Sequence, residues 1–393
     1  MQKMNDTFPY MPLMAFAMTG FICIMTETIP AGLLPEISKG MNISLASAGQ
    51  WVTVYALGSL FAAIPLTIVT RSWNRKYVLL MTVAGFFIFN TITALSSNVY
   101  LTLLARLGTG AAAGLAWSLL AGFSRRIVDP LHQGRAMAIA MAGTPLALSL
   151  GVPLGTWLGH YLGWRLTFGI MSVLSLLLMI WIRISVPDSA GQQKHQKIPF
   201  RKVLATPGVR PVLAVVLTWM LAHNILYTYI APFSSLSGMG AHVDGILLIF
   251  GLSALAGLIF TGKIIDSQLR KMVLASLAIF SIVSLFLGLF SYTPAILIVG
   301  SAVWGVTFGG AATLLNTALA DAAEDGADVA ISMTVVSWNA AIALGGITGG
   351  IILQGPGVNG LPWVILILAL VSFLIVKINS EYAFPHPIRD EAE

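Results

Sequence analysis

Apolar runs of roughly 18 to 25 residues recur twelve times along this chain, and that recurrence limits its fold more than any other feature. Wound as a helix, a run of about 20 apolar residues crosses the hydrocarbon layer of a bilayer. Other backbone arrangements fail there, because an N–H or C=O group without an internal partner finds no water. The runs predict helical spans over about 11–35, 48–70, 77–96, 99–123, 134–160, 165–185, 209–234, 243–265, 271–290, 294–319, 328–354 and 361–379. Charged residues make up 9% of the chain, against about 25% in soluble domains, and the mean hydropathy is +0.87. The expected class is an all-α polytopic protein of the lipid bilayer.

The basic residues test that count. With the N-terminus in the cytoplasm, the even-numbered connections and both tails hold 18 of the 21 Lys and Arg residues. Lys39 and Arg165 fall on the other side, and Arg106 lies within a span. Cytoplasmic loops collect Lys and Arg, and a miscount by one helix would scramble the partition. Both ends are therefore expected inside. The formal net charge of +6 is accounted for by this placement, so no nucleic-acid partner is expected. The first run lacks a basic leader of the usual kind and continues too far for a cleavable signal, so span 1 is expected in the mature protein. A single cysteine, Cys23, excludes a disulfide framework and a thiolate metal cluster.

The longest connection, 186–208, is polar and basic, and it divides the chain into halves at 1–185 and 209–393. It reads as a tether with a short amphipathic helix at Phe200 to Leu204 on the inner leaflet. The halves echo one another. RSWNRKYVLL (Arg71 to Leu80) follows span 2 and DSQLRKMVLA (Asp266 to Ala275) follows span 8. Gly143 to Gly159 in span 5 and Ala343 to Gly355 in span 11 are both glycine-rich. Two like halves around a midplane cavity are the logic of alternating-access carriers. The acidic connection Ala320 to Asp328 does not overturn the topology, since Asp and Glu weigh little in orientation.

Within span 1, Glu27 is a lone carboxylate in an apolar run, with Pro30, Gly32 and Pro35 able to bend or open the helix beside it. Ionisable groups at such depth are costly and usually functional, and burial brings a carboxyl group nearer to holding a proton at neutral pH. Glu27 is read as the proton site of a carrier, against the alternative of a structural acid bonded to a neighbouring helix. Arg106 in span 4 must find a carboxylate, carbonyls or water, and Glu27 is a possible partner or competitor. A fixed structural ion pair is the alternative. His223 and Asn224 in span 7 precede Tyr227 and Tyr229, and His223 and Tyr227 share a helix face. Imidazole, amide and hydroxyl groups suit a polar, uncharged ligand, while the rings can stack on a sugar or drug ring; hydrogen bonding between spans serves equally well as an explanation. Asn90, Asn316, Trp338 and Asn339 are further cavity candidates, with Trp117 and Trp51 as possible cavity aromatics. The run GTGAAAG (Gly108 to Gly114) lies in a span with no preceding strand and reads as close helix packing. No HExxH occurs, so neither a metal nor a cofactor is expected.

At these residues the chain resembles the major facilitator superfamily over essentially its whole length. The superfamily's loop signature, GxxxDxxGR[RK], is matched after span 8 by Gly262, Asp266, Arg270 and Lys271, with Leu269 in place of the second glycine. The copy after span 2 is degenerate: Thr67 and Arg71 stand where Gly and Asp are expected, and Arg75 and Lys76 remain. LARLGTGAAAGLAW is similar to the RxxxGxxxG-type span, which implies that Arg106, Gly110 and Gly114 border the central cavity. Gly143, Pro145, Gly151, Pro153, Gly155 and Gly159 look like the glycine–proline span of the antiporter branch. TETIPAGLLPEIS and AHNILYTYIAPF resemble the corresponding segments of bacterial sugar efflux transporters within the twelve-span drug:proton antiporters.

The resemblance implies two six-helix bundles in a bacterial cytoplasmic membrane, acting as a monomer, with a small-molecule substrate and protons as partners. The expected function is export of a sugar-like or drug-like solute in exchange for inward-moving protons. The runners-up are a proton-coupled importer and a purine nucleoside or multidrug exporter. A membrane sensor or an intramembrane enzyme fits poorly, because the chain has neither a soluble signalling domain nor a hydrolase constellation.

Overall fold

The computed structural model describes residues 8–70, 72–129, 132–191, 200–323 and 327–384. Twelve helices among them are long and apolar enough to cross a membrane: Tyr10–Gly32, Leu45–Val69, Arg75–Leu95, Val99–Arg126, Arg135–Leu162, Trp164–Ser185, Val209–Thr228, Gly240–Ile265, Gln268–Leu289, Pro294–Ala323, Val329–Gln354 and Val358–Ile378. These are spans 1 to 12 below, and they form two six-helix bundles. Local chemistry sets several ends. Ser44 accepts from the Ser47 backbone N–H at 3.1 Å ahead of span 2, and Asn74 and Asn98 cap spans 3 and 4 in the same way. Span 1 stops at Gly32, two residues past Pro30, and Leu33 (φ −117°) turns the chain into the helix Leu34–Met41. The amphipathic helix expected in the connection is present as Phe200–Ala205, with Phe200 exposed and Val203 buried.

Several spans depart from plain α-helix, spans 5, 7 and 10 in their interiors or at a break. Span 5 contains a π-helical turn, Ala147–Gly151, between Pro145 and Pro153, where a ring in place of an N–H disturbs the ladder. Span 7 breaks at Tyr229 and resumes as Ile230–Leu236. Span 10 breaks at Gly310. The sequence predicts a separate loop between spans 8 and 9, but here the structure differs. Spans 8 and 9 are two helices joined by a tight kink at Gln268 (φ −136°, ψ 27°), with almost no intervening loop. Arg71 and the side chain of Asp266 lie outside the described residues. Of the other loop residues, Arg75 and Lys76 are buried, and the Arg75 guanidinium donates to the Thr70 carbonyl at 2.8 Å.

Glycine sets the closest helix approaches, and it does so at matching places in the two bundles. A methyl group on Gly110 in span 4 would lie 1.9 Å from the Tyr55 carbonyl oxygen of span 2. Its counterpart Gly309 in span 10 would meet the Ala254 carbonyl of span 8 at 1.8 Å. Small residues let backbones pack this tightly where lipid offers no hydrophobic drive.

Arg165 and Lys39, the two cations that fall outside the basic loops, serve helix ends. Arg165 donates to the carbonyls of Ala94 (3.1 Å) and Ser96 at the end of span 3, with its guanidinium 4.3 Å above the Trp164 ring. Lys39 sits in the last turn of Leu34–Met41, where a positive charge complements the negative end of the helix dipole.

The bundles meet at the end of the molecule remote from the termini. Gln50 donates to the Gly346 carbonyl at 3.1 Å, the Tyr229 hydroxyl donates to the same oxygen at 2.7 Å, and Thr53 donates to Ala343 at 3.4 Å. An apolar seam of Val52, Ala56, Ile342 and Ala343, with Leu57 and Trp338 at its edge, continues inward from them. Beyond that edge, toward the termini, spans 2 and 11 carry exposed side chains such as Phe61, Ile68, Ile331 and Val335.

Candidate functional site

Glu27 stands near the middle of the molecule on span 1, half-buried rather than sealed. Its neighbours in sequence are already engaged. Asn90 in span 3 donates to the Thr26 hydroxyl at 3.1 Å, and Thr28 donates to the Ile24 carbonyl at 2.6 Å. Tyr55 in span 2 donates to the Cys23 carbonyl at 3.0 Å. The first span is thus held from two sides, and among the described residues the carboxylate itself makes no hydrogen bond or ion pair.

Arg106 lies one layer behind. Its side chain is fully buried, its Nε donates to the Trp51 carbonyl at 3.3 Å, and its guanidinium carbon sits 5.1 Å from the Tyr55 ring and 5.6 Å from the Phe168 ring. Neither terminal nitrogen has a hydrogen-bond partner among the described residues. Glu27 and Arg106 feel each other's charge, yet no ion pair within 4 Å joins them. The fixed pair weighed from the sequence is not formed in this conformation. What exists is a buried cation beside an acid that keeps access to the interior.

From the opposite bundle, Tyr227 comes up beside Thr28 and within electrostatic range of Glu27, while its hydroxyl makes no well-formed hydrogen bond. One helical turn back, the His223 ring stacks face to face on Phe308 at 3.5 Å between centroids and 4° between planes. Phe250, at 5.7 Å, and Trp304, at 5.3 Å, close the group, and Trp304 Nε1 donates to His223 Nδ1 at 3.2 Å. Phe308 also contacts Trp338 at 6.4 Å. His223 and Tyr227, predicted to share a face, do so, with ring centroids 5.4 Å apart.

The other sequence candidates are spread more widely. Asn224 and Asn339 each spend their amide hydrogens on their own helix, at Met220 (2.7 Å) and Val335 (2.9 Å). The buried Asn316 oxygen has no hydrogen-bond partner among the described residues. Asn90 is an interhelical tie. Trp117 packs on Gly20 of span 1. Trp51 is core, edge-on to Trp164 at 5.4 Å. Tyr229 does not join the Tyr227 group, because its hydroxyl closes the remote end on Gly346. Gly143, Gly151 and Gly155 of span 5 lie against Ala17, Met25 and Ile29 of span 1, so that the glycine–proline span backs the helix that carries the acid. Gly262 has open space around it, Arg270 is half-buried and Lys271 is exposed. Sequence reasoning missed Phe250, Trp304 and Phe308. They sit in uniformly apolar helices, where an inward-facing aromatic residue reads like one facing lipid.

Two like helical bundles that close on each other at one end, with a half-buried acid facing the opposite bundle and a buried cation behind it, define a membrane carrier rather than an enzyme. The chain belongs to the Major Facilitator Superfamily, whose family model matches residues 16–327. Among curated relatives, a probable sugar efflux transporter of Haemophilus influenzae (strain 86-028NP) is 30% identical over 370 residues, covering 92% of this chain and 91% of that protein. A probable sugar efflux transporter of Helicobacter pylori (strain P12) is 26% identical over 380 residues, covering 95% and 97%. Among solved structures, a D-xylose-proton symporter superposes with a TM-score of 0.78 at 14% identity, covering 97% of this chain and 99% of that one, a likeness of fold.

Proposed function

We propose that this transporter exports a small uncharged, sugar-like solute in exchange for protons, with both termini in the cytoplasm of a bacterial cell and the bundles 1–185 and 209–393 rocking about the 186–208 connection as a monomer. The observation that carries the reading is Glu27: a carboxylate at mid-span, half-buried and unbonded among the described residues, with a buried guanidinium behind it and the Tyr227 face of the other bundle in front. The names carried by the relatives favour a sugar and the outward direction.

The cycle follows from differential binding. With the remote end open, Glu27 takes a proton from outside. With the end bearing the termini open, it releases that proton inside, and the charge that remains alters the Tyr227–His223 surface to which substrate binds. Coupling of this kind is a free energy shared between two sites, and it is reciprocal. An inward proton gains about 2.3 kcal/mol per 100 mV and about 1.4 kcal/mol per pH unit. One proton therefore sustains a substantial gradient of a neutral solute.

Glu27→Gln is expected to fold and insert but to lose proton-driven transport entirely. The measurement is pH-gradient-driven accumulation of isopropyl thiogalactoside in proteoliposomes, with counterflow as the check that binding survives. A variant that still builds the same pH-dependent gradient removes Glu27 from the coupling role. Import is separated from export in inverted vesicles: added substrate dissipates an imposed acid-inside gradient only for an exchanger.

A further inference from the structure

The imidazole of His223 is committed to one arrangement of its hydrogens. An indole N–H can only donate, so the 3.2 Å bond from Trp304 Nε1 requires His223 Nδ1 to be the acceptor. A ring that accepts at Nδ1 cannot be the cation, and its one hydrogen is on Nε2. Among the described residues no group hydrogen-bonds to Nε2, which is absent from the fully buried unpartnered atoms, and His223 keeps 7% of its surface exposed. The faces of the ring are occupied by aromatic groups: Phe308 stacked at 3.5 Å, with Phe250, Trp304 and Tyr227 around it. No charged side chain is among these ring neighbours; Glu27 is reached only beyond Tyr227. One turn along the same face is the Tyr227 hydroxyl, beside Thr28 but without a well-formed hydrogen bond among the described residues.

We propose that Trp304 is a positioning residue of the substrate site: by holding His223 as the neutral ring with its hydrogen on Nε2, it makes span 7 present a fixed donor to an oxygen of an uncharged, hydroxyl-bearing substrate and turns away organic cations. The aromatic rings around His223 would by themselves attract a cation through their faces. A donor hydrogen directed at the ligand opposes that attraction, and it rewards a hydroxyl or ether oxygen instead. Without the indole bond, Nδ1 is free to carry the hydrogen, Nε2 can become an acceptor, and the discrimination is lost. The inference rests on the sugar-like reading for its choice of substrate. The state of the imidazole can be read without any substrate.

The test uses the full-length protein in lipid nanodiscs, labelled with 15N at histidine. Long-range proton–nitrogen spectra of the imidazoles, with His223 assigned by its loss in His223→Gln, are expected to show the Nε2–H form unchanged between about pH 6 and 8. Trp304→Phe is expected to lose that pattern. Phe308→Leu, which removes the stacked ring but leaves the indole bond, is expected to keep it. Isopropyl thiogalactoside affinity should fall by about tenfold in Trp304→Phe, and by no more than about threefold in His223→Gln, whose amide still donates. Tetraphenylphosphonium, not bound by the wild type, should bind Trp304→Phe. A wild-type ring protonated at Nδ1 or on both nitrogens overturns the inference, and this holds even if Trp304→Phe proves unstable. So does a Trp304→Phe protein with unchanged imidazole signals. A wild type that holds the Nε2–H form but binds no thiogalactoside tells against the sugar-export reading alone; cation binding then decides, with no gain in Trp304→Phe overturning the inference.

Discussion

Arg106 makes little sense as a stabilising residue. Its guanidinium is wholly buried, held by one carbonyl and two ring faces, with two terminal nitrogens unpartnered among the described residues. Burying a charge without full compensation costs several kcal/mol, so an apolar side chain of similar volume in its place removes a cost rather than a support. Arg106→Met is therefore expected to match or exceed the wild type in thermal unfolding in detergent, while proton-driven transport is abolished. A Met variant that fails to fold would show that Arg106 is there for structure. Glu27 and Arg106 were both legible in the sequence, because an ionisable residue deep in an apolar run is conspicuous. Their lack of an ion pair was not, since that depends on how spans 1, 2 and 4 are rotated against one another. Trp304 was hidden for a related reason: nothing in its helix marks which face looks inward.

Among the elements, glycines that look alike in sequence differ in what surrounds them. Gly309 lets spans 8 and 10 touch backbone to backbone, with the Ala254 carbonyl 1.8 Å from where a methyl group would go, whereas Gly262 faces open space. Gly309→Ala must push the helices apart, an overpacking cost of about 1 to 3 kcal/mol or more. Gly262→Ala meets no obstacle and gains helix propensity, so stability should hold or rise by about 0.5 to 1 kcal/mol. Thermal melts of the two variants in detergent check the contrast, and equal losses would contradict it. The hydrophobic runs predicted which stretches are helices, and Pro30, Gly32 and Pro35 marked the break in span 1, whereas the π-helical turn in span 5 was not anticipated. The tightness of the turn between spans 8 and 9 was not legible: the chain reverses at a kink on Gln268, where hydropathy alone suggests a longer polar loop.

At the scale of the whole molecule, a carrier must open each end in turn, and the end remote from the termini is closed by contacts between spans 2, 7 and 11. A Cβ built on Gly350 lies 3.7 Å from the Ala46 Cβ, within the separation a disulfide needs, and the Gln50 amide and Tyr229 hydroxyl, each 3.1 Å away and bonded to Gly346, must shift by a few tenths of an ångström to admit it. The native cysteine, Cys23, is buried and does not compete. Ala46→Cys with Gly350→Cys is expected to form a bridge on oxidation, to halt transport in proteoliposomes and to recover on reduction. Transport that persists through a quantitatively formed bridge would mean that this end need not open.

The sequence by itself determined that the chain lives in a bilayer, that it crosses twelve times in two like halves, and that an acid and a guanidinium are kept where water is scarce. Hydrophobic length and charge placement are one-dimensional properties, and bilayer thickness and loop charge act on them directly. Tertiary structure alone decided which end is shut, that Tyr229 serves the closure while Tyr227 faces the acid, and that an indole from span 10 dictates where the His223 hydrogen sits. Those outcomes depend on helix rotation and on approaches of a few ångströms between residues far apart in the chain, and these are set by small-residue packing across the bundles.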